Sequence, residues 1–181
     1  MKKKLFLIIA VAAVVIGTVV GVSMYTHGDE QNANSINNLL ETDDLAIIKT
    51  DDSITDLEYK IDTSISKNDE KMLKGFLETM PKKYKVHNSF AIDIEMQNKS
   101  DVVETTEDRQ TIIIKGTAEN KIAPLFDGEY TDVFVLYQDG EELVPIIEDF
   151  QYGKISDDSI KMMFTTNKSG RYIISTLSEV E

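Results

Sequence analysis

Hydrophobic and polar side chains alternate along much of the chain between residues 84 and 175. Over residues 90–97, four large apolar side chains alternate with Ala91, Asp93, Glu95 and Gln97. Successive side chains of a strand point to opposite faces, so this pattern predicts a strand with one buried face and one solvent-exposed face. Further apolar runs predict strands at residues 45–49, 57–61, 111–115, 133–137, 143–147, 161–165 and 171–176.

Turn-forming residues between these runs indicate antiparallel pairing. Asp139 and Gly140 separate two apolar runs and predict a hairpin. Polar turns at residues 156–159 and 167–170 separate the next ones. About six to eight short strands with close turns predict a mostly β fold, an antiparallel, immunoglobulin-like β-sandwich. The pattern leaves open whether residues 39–65 join the sandwich or form a separate subdomain.

Residues 68–80 have a helical period instead and predict one soluble helix. Asn68 or Asp69 would cap its start, and Pro81 would stop it. Because a helix with one apolar face must pack against another element, we expect it to cover the following sheet. The apolar positions on that face are Met72, Leu73, Phe76, Leu77 and Met80.

The chain starts with a cationic segment and an uncharged apolar run. Lysines at positions 2–4 precede residues 5–24, which as a helix would span the roughly 30 Å hydrocarbon core of a bilayer. The lysines are expected to stay in the cytoplasm, which places the rest of the chain outside it. We therefore predict a transmembrane signal anchor at 1–25, a polar juxtamembrane spacer at 26–38 and an extracytoplasmic domain at 39–181.

Two details of the apolar run leave alternatives open. Gly21 and Ser23 would fit a cleavage site before Met24, which would make this segment a signal peptide and the protein secreted. Gly17 and Gly21 form a G-x-x-x-G pattern, which lets two membrane helices approach closely and predicts a weak homodimer contact. Ordinary membrane-helix composition explains the same two glycines, and we favour that explanation.

Charge and composition narrow the expected partners. The chain has a net charge of −13, and all 32 acidic side chains follow the apolar run. Such a domain repels nucleic acid, so we expect no nucleic-acid partner. The absence of cysteine excludes disulfides, thiolate metal sites and cysteine nucleophiles, and it suits a Gram-positive envelope protein.

The residues that catalysis or metal binding would need are sparse. The two histidines, His27 and His87, have no paired metal-ligand spacing and no nucleophile motif beside them. Asp93 and Glu95 lie two apart and would suit glycoside chemistry if a second sheet faced them, although a solvated strand face explains them better. Acidic turns at residues 127–129 and 139–142 lack the pattern of an EF-hand, and we interpret them as ordinary turns. Weak calcium binding there, in a calcium-stabilised module, is the alternative. We predict no catalytic residue, no cofactor and no metal.

The C-terminal half also has a characteristic order of segments. It runs through residues 90–94, 111–115, 133–137, 160–166 and 169–174. This order resembles a β-sandwich module frequent in surface proteins of Firmicutes, which ends in a Phe-x-Thr, a Ser-containing turn and a Tyr-x-Ile strand. The turn at 167–171 lacks the aromatic residue common there. The resemblance implies spacing, display or adhesion, with Phe164 and Tyr172 as core or edge anchors.

These observations together predict a single-pass membrane protein with a non-catalytic, extracytoplasmic interaction or structural module of a bacterial cell envelope. Its expected partners are the membrane, through the N-terminal helix, and an envelope protein or glycan contacted at strand edges or hairpin loops. The alternatives are a cleaved, secreted binding protein and a carboxylate-dependent enzyme acting on an envelope polymer.

Overall fold

The computed structural model describes residues 39–49, 54–146, 150–156 and 158–180. These residues form two antiparallel sheets and one α-helix. The predicted membrane anchor with Gly17 and Gly21, and the spacer with His27, lie outside the described residues. Within them, no helix combines the length and the apolar character needed to cross a bilayer.

Sheet A has five strands, and every neighbouring pair is antiparallel. The strands are β1 (Leu39–Glu41), β2 (Leu45–Ile48), β6 (Thr105–Thr117), β9 (Gln151–Ser156) and β10 (Ser159–Lys168). Their spatial order is β1-β2-β6-β10-β9, so β6 lies at the centre of the sheet and β1 and β9 form its edges.

Sheet B contains the remaining strands. They are β3 (Asp56–Asp62), β4 (Lys83–Asn98), β5 (Asp101–Val102), β7 (Asp132–Asp139), β8 (Glu142–Pro145) and β11 (Gly170–Val180). The order is β3-β4-β11-β7-β8, and the short β5 pairs with the end of β4. The predicted hairpin is confirmed, because Asp139 pairs with Glu142 across the turn at Gly140.

The core lies between the two sheets, as in a β-sandwich. Phe90, Ile92, Ile94 and Met96 of β4 are almost completely buried in it, which confirms the predicted inward face. They pack with apolar side chains of β2, β6, β10 and β11. Residues 39–65 join the sandwich rather than forming a subdomain, because β1 and β2 extend sheet A and β3 extends sheet B.

The one α-helix among the described residues, α1 (Lys67–Glu78), begins one residue before the predicted start. Its N-cap is Ser66, not Asn68 or Asp69: the Ser66 hydroxyl accepts a hydrogen bond from the Asp69 amide, and the Asp69 carboxylate accepts one from the Ser66 amide. This reciprocal capping box satisfies two backbone N–H groups at the start of the helix.

Helix α1 covers the outer face of sheet B, which creates a third layer. Leu73 of α1 packs against Ala91, Leu136 and Ile173 of the sheet, and all four side chains are buried. The alternation alone predicted that the outer face of β4 is exposed to solvent. The structure shows that α1 covers part of this face. Of the four alternate positions 91, 93, 95 and 97, Glu95 alone is exposed as expected.

Candidate functional site: a groove beside a free strand edge

Strand β4 is paired with another strand on both of its edges, but on the β3 side the pairing covers only part of its length. On one side β11 pairs with β4 from Lys83 to Ile94. On the other side β3 pairs only with residues Ala91–Gln97, ending where Asp62 lies opposite Ala91. Within the described residues, residues 83–90 of β4 thus have no strand on the β3 side. Such an edge presents backbone N–H and C=O groups that can pair with another strand.

The chain leaves the sheet at this point because α1 starts there. Residues 63–66 lead from the end of β3 to the capping box at Ser66, and α1 then runs over the outer face of sheet B. The apolar side of α1 requires burial against that face. The chain that would otherwise have extended β3 alongside residues 83–90 is therefore used to build the helix.

A groove of about 1030 Å³ lies along this free edge. That volume is similar to the largest typical ligand sites. One wall includes Leu125, whose carbonyl oxygen accepts a hydrogen bond from the Asn88 side chain at 3.0 Å. The other apolar lining residues are Ile65, Leu73, Leu77, Met80, Pro81 and Val86. The groove therefore combines an unpaired backbone edge with an apolar lining.

A cluster of charges fixes the elements that form this groove. The guanidinium group of Arg171 on β11 donates to Asp93 of β4 at 2.8 Å, to Asp62 at the end of β3 at 3.1 Å and to Asp69 of α1 at 3.0 Å. The Asp69 side chain is only 4% exposed and that of Arg171 20% exposed. Because one planar guanidinium can serve several acceptors, Arg171 connects three other elements through one side chain.

The electrostatics of this cluster keep it ionised. Burial raises the pKa of Asp69, but hydrogen bonds from Arg171 and Ser66 outweigh this, and the net pKa lies below its usual value. Hydrogen bonds from Lys60 and then Arg171 hold the pKa of Asp62 below its ordinary value against the opposing effect of burial. General acid catalysis near neutral pH requires the opposite direction. The cluster is therefore suited to holding α1, β3 and β4 together.

The structure does not bring the predicted candidate residues together into a catalytic arrangement. Asp93 is bound to Arg171, whereas Glu95 is exposed and lies opposite Glu58 of β3. His87 lies in the lining of the groove, and its Nε2 is 2.8 Å from the Ser178 hydroxyl. In the part of the chain that the structure describes, no group of three or more His, Cys, Asp or Glu side chains could hold a metal ion.

The acidic turns considered for calcium are partly neutralised by lysines. Asp127 pairs with Lys154 at 3.0 Å, and Asp139 pairs with Lys168 at 3.4 Å. Each turn therefore offers its carboxylate to a side chain of the protein. Neither arrangement resembles the set of six to eight oxygens that calcium takes.

Sequence reasoning did not find the groove or the Arg171 cluster. One signal was available, because Arg171 is a charged residue at the start of the otherwise apolar run 172–174. Its three partners are residues 62, 69 and 93: the strand register places Asp62 and Asp93 beside it, and the packing of α1 on the sheet brings Asp69 there.

Comparison of the chain with protein-family models, with curated proteins and with solved structures finds no match. The function is therefore argued from the geometry of the groove and from the charge pattern of the chain.

Proposed function

We propose that this protein is a membrane-anchored, non-catalytic binding module of a bacterial cell envelope. Its β-sandwich lies outside the cytoplasm and takes up an extended segment of an envelope partner in the groove along β4. The observation that carries this proposal is the free edge at residues 83–90, which lies beside an apolar groove.

A free edge beside a groove suits strand addition. In this mode an extended segment pairs its backbone with the sheet edge, and pockets for its alternate side chains give specificity. Here residues 83–90 would supply the backbone groups, while Val86 and Leu77 would contact apolar side chains of the added segment. The Arg171 cluster holds α1 and β3 in place, so the groove is formed before a partner arrives.

The sequence supports the location of this module. Lysines at positions 2–4 and the apolar residues 5–24 predict a single membrane-spanning helix with the remaining chain outside. Gly17 and Gly21 are the candidate contact positions for a weak homodimer within the membrane. The absence of cysteine is compatible with a location in a cell envelope whose proteins do not depend on disulfides.

The resemblance of the C-terminal half to a β-sandwich module of Firmicutes surface proteins is one reason to propose display at the surface. In the Firmicutes module that the C-terminal half resembles, Phe164 and Tyr172 would be anchors of the sandwich. Both side chains are buried, and their ring centroids are 5.2 Å apart. Because both rings lie in the core, the specificity of the proposed module would lie in residues outside it.

Site-specific photo-crosslinking of the full-length protein in living cells tests the proposed function. A photoreactive residue at Val86, which lines the groove and is 37% exposed, should capture one envelope protein. The matched control is the same residue at Val144 of β8, which is 42% exposed on the opposite edge of sheet B. Equal capture at both positions, or none at Val86, would refute the groove as the binding surface.

Two further measurements test the location. A protease added outside intact protoplasts should digest the β-sandwich domain, and a protected domain would contradict the proposed topology. The intact mass of the cell-associated protein should match the uncleaved chain, beginning at residue 1 or 2. A mass that matches a chain beginning near Met24 would instead establish the alternative of a cleaved, secreted protein.

A further inference from the structure

We infer that a β-bulge at His87 determines which segment the groove accepts: an extended, uncharged one whose apolar side chains alternate with polar ones and point toward α1. This inference rests on the proposed function and specifies the chemistry of the partner.

Strand β4 contains one residue more than its partner β11 beside the groove. Asn88 lies opposite Thr176 and Val86 lies opposite Leu177, so His87 is the extra residue of a bulge. The bulge is held in place, because the Asn88 amide donates a hydrogen bond to the Thr176 hydroxyl at 3.2 Å. A bulge of this kind changes the direction in which the side chains of a strand point.

The bulge turns the start of β4 toward α1. Phe90 is buried in the core between the sheets, and the Asn88 side chain points to the same side, where it donates to a carbonyl oxygen of the loop between β6 and β7. Unbroken alternation would place Val86 and Tyr84 on that side as well. Instead, Tyr84 packs against Phe134 of the apolar cluster beneath α1, with ring centroids 5.3 Å apart. The bulge therefore directs Val86 into the groove.

A segment added to the free edge would meet the same arrangement that β11 meets on the other edge. Side chains directly opposite each other on paired strands share a face. The side chains opposite Tyr84, Val86 and Ser89 would thus point toward α1, and the register of β11 shows that they fall at every second position of a regular strand. Ile65 and Leu77 line the groove beside Val86, so apolar side chains fit at these positions.

The charges in the groove lining favour an uncharged segment. Lys82 is paired with Glu179 at 2.6 Å. The other lysine and carboxylate side chains of the lining balance each other, and they are Lys74, Lys83, Glu70 and Glu78. A charged segment would therefore gain no net attraction, and it would lose hydration on binding. The positions that alternate with the apolar ones are accordingly expected to be polar and uncharged.

Fluorescence anisotropy with the full-length protein in detergent micelles tests the pattern. The probe is a labelled, end-blocked peptide of about eight residues that alternates Val and Thr, long enough to cover the free edge. The comparison peptides are a block of Val followed by a block of Thr with the same composition, and alternating peptides with Glu or Lys in place of Thr. We expect the Val-Thr peptide to bind at least about tenfold more tightly than each of them.

Disulfide trapping tests the face that the bulge determines. The chain has no native cysteine, so Val86→Cys and Lys85→Cys each introduce a single thiol, and these neighbours point to opposite faces of the strand. We expect Val86→Cys to trap a peptide whose central Val is replaced by Cys at least about tenfold faster than one whose central Thr is replaced. Lys85→Cys should show the reverse preference, because a disulfide requires closely facing Cβ atoms.

A conservative substitution tests the contact at the centre of the groove. Val86→Thr keeps the shape of the side chain but adds a hydroxyl group, so it should weaken binding of the Val-Thr peptide by about fivefold or more. The matched control is Val144→Thr on β8, which has a similar exposure on the opposite edge of sheet B and should retain wild-type affinity. Both variants should keep the wild-type melting temperature.

Each other outcome overturns the inference. Equal binding of the block peptide would show that the groove does not select alternation, and tighter binding of a charged peptide would refute the uncharged segment. A reversed or absent trapping preference would refute the facing that the bulge produces. Absence of binding by the Val-Thr peptide, together with specific capture at Val86 in cells, would refute this segment and leave the proposed function standing. Absence of both would refute the two together.

Discussion

Arg171 forms ion pairs with several carboxylates at once. Its guanidinium group contacts three carboxylates, Asp62, Asp69 and Asp93, which belong to three different elements. Lysine could not replace it, because a single ammonium group lacks the planar, forked set of donors. The position of α1 on the sheet, and with it one wall of the groove, depends on this side chain.

Replacing Arg171 with Met should destabilise the protein strongly. The change keeps an apolar stem but leaves three carboxylates close together, so we expect the free energy of unfolding in urea to fall by about 3 kcal/mol. The control is Lys154→Met, which removes the exposed ion pair with Asp127 and should cost less than about 1 kcal/mol. Equal losses in the two variants would show that the cluster contributes no more than a surface pair.

The same cluster predicts how stability depends on pH. The pKa values of Asp62 and Asp69 are lowered in the folded protein. Their contribution to the free energy of unfolding is therefore complete above the pKa of an aspartate in the unfolded chain, about 3.9. It is lost as the pH falls through the lower folded values, where the folded state must take up protons. The free energy of unfolding should therefore decrease on acidification below about pH 4.

The Arg171→Met variant provides the control for this pH dependence. Acidification neutralises the carboxylates that the arginine would have paired, so the difference in unfolding free energy between wild type and variant should be largest near neutral pH. It should shrink as the pH falls below about 4. A difference that stays constant from neutral to acidic pH would contradict ionisation of the cluster as its source.

At the scale of single elements, close packing at Gly116 determines how β6 fits into sheet A. A Cβ atom at this position would lie 2.5 Å from a methyl carbon of Ile160 and 2.6 Å from one of Ile122. Both isoleucines are completely or almost completely buried. The glycine therefore leaves room for these two side chains, one from β10 and one from the loop that follows β6.

Gly116→Ala should lower the free energy of unfolding by about 1–3 kcal/mol, because the added methyl group overpacks the core. The matched control is Gly75→Ala in α1, where an added Cβ meets no atom within 4 Å. That change should raise the free energy of unfolding by about 0.5–1 kcal/mol, since alanine is the better helix former. Urea denaturation of both variants measures these two opposite changes in the free energy of unfolding. Destabilisation by both substitutions would contradict the steric explanation.

At the scale of the whole molecule, two sheets and one helix form three layers, with α1 on sheet B alone. The second apolar cluster, beneath α1, is separate from the core of the sandwich. No described residues form a cluster of three or more metal-binding side chains. Stability is therefore expected to come from packing and from the Arg171 cluster.

Calcium should accordingly leave the stability of the whole protein unchanged. We expect the same melting temperature in excess EDTA and in millimolar calcium, because Asp127 and Asp139 pair with lysines. Differential scanning calorimetry measures this, with magnesium as the control for ionic strength. A rise in melting temperature on adding calcium that EDTA reverses would revive the calcium-stabilised alternative.

Local patterns predicted most elements of this fold. The alternation at residues 90–97, the Asp-Gly turn at 139–140 and the helical stripe at 72–80 each reflect side chains a few positions apart, which share a face through the geometry of one element. They gave the β7–β8 hairpin and α1 close to their observed bounds, and they gave the C-terminal half of β4, which starts at Lys83. The N-terminal anchor, also a local pattern, stays a prediction.

Only the tertiary structure decided which elements meet. The position of α1 on sheet B buried the outer face of β4 that alternation alone left exposed, and it ended β3 early enough to free residues 83–90. The register of β11 on β4 placed Arg171 beside Asp93, more than 70 residues away in sequence. Pairings of this kind depend on sheet order and register, which one sequence without matching relatives does not specify. The groove and its charge cluster therefore emerged only from the fold.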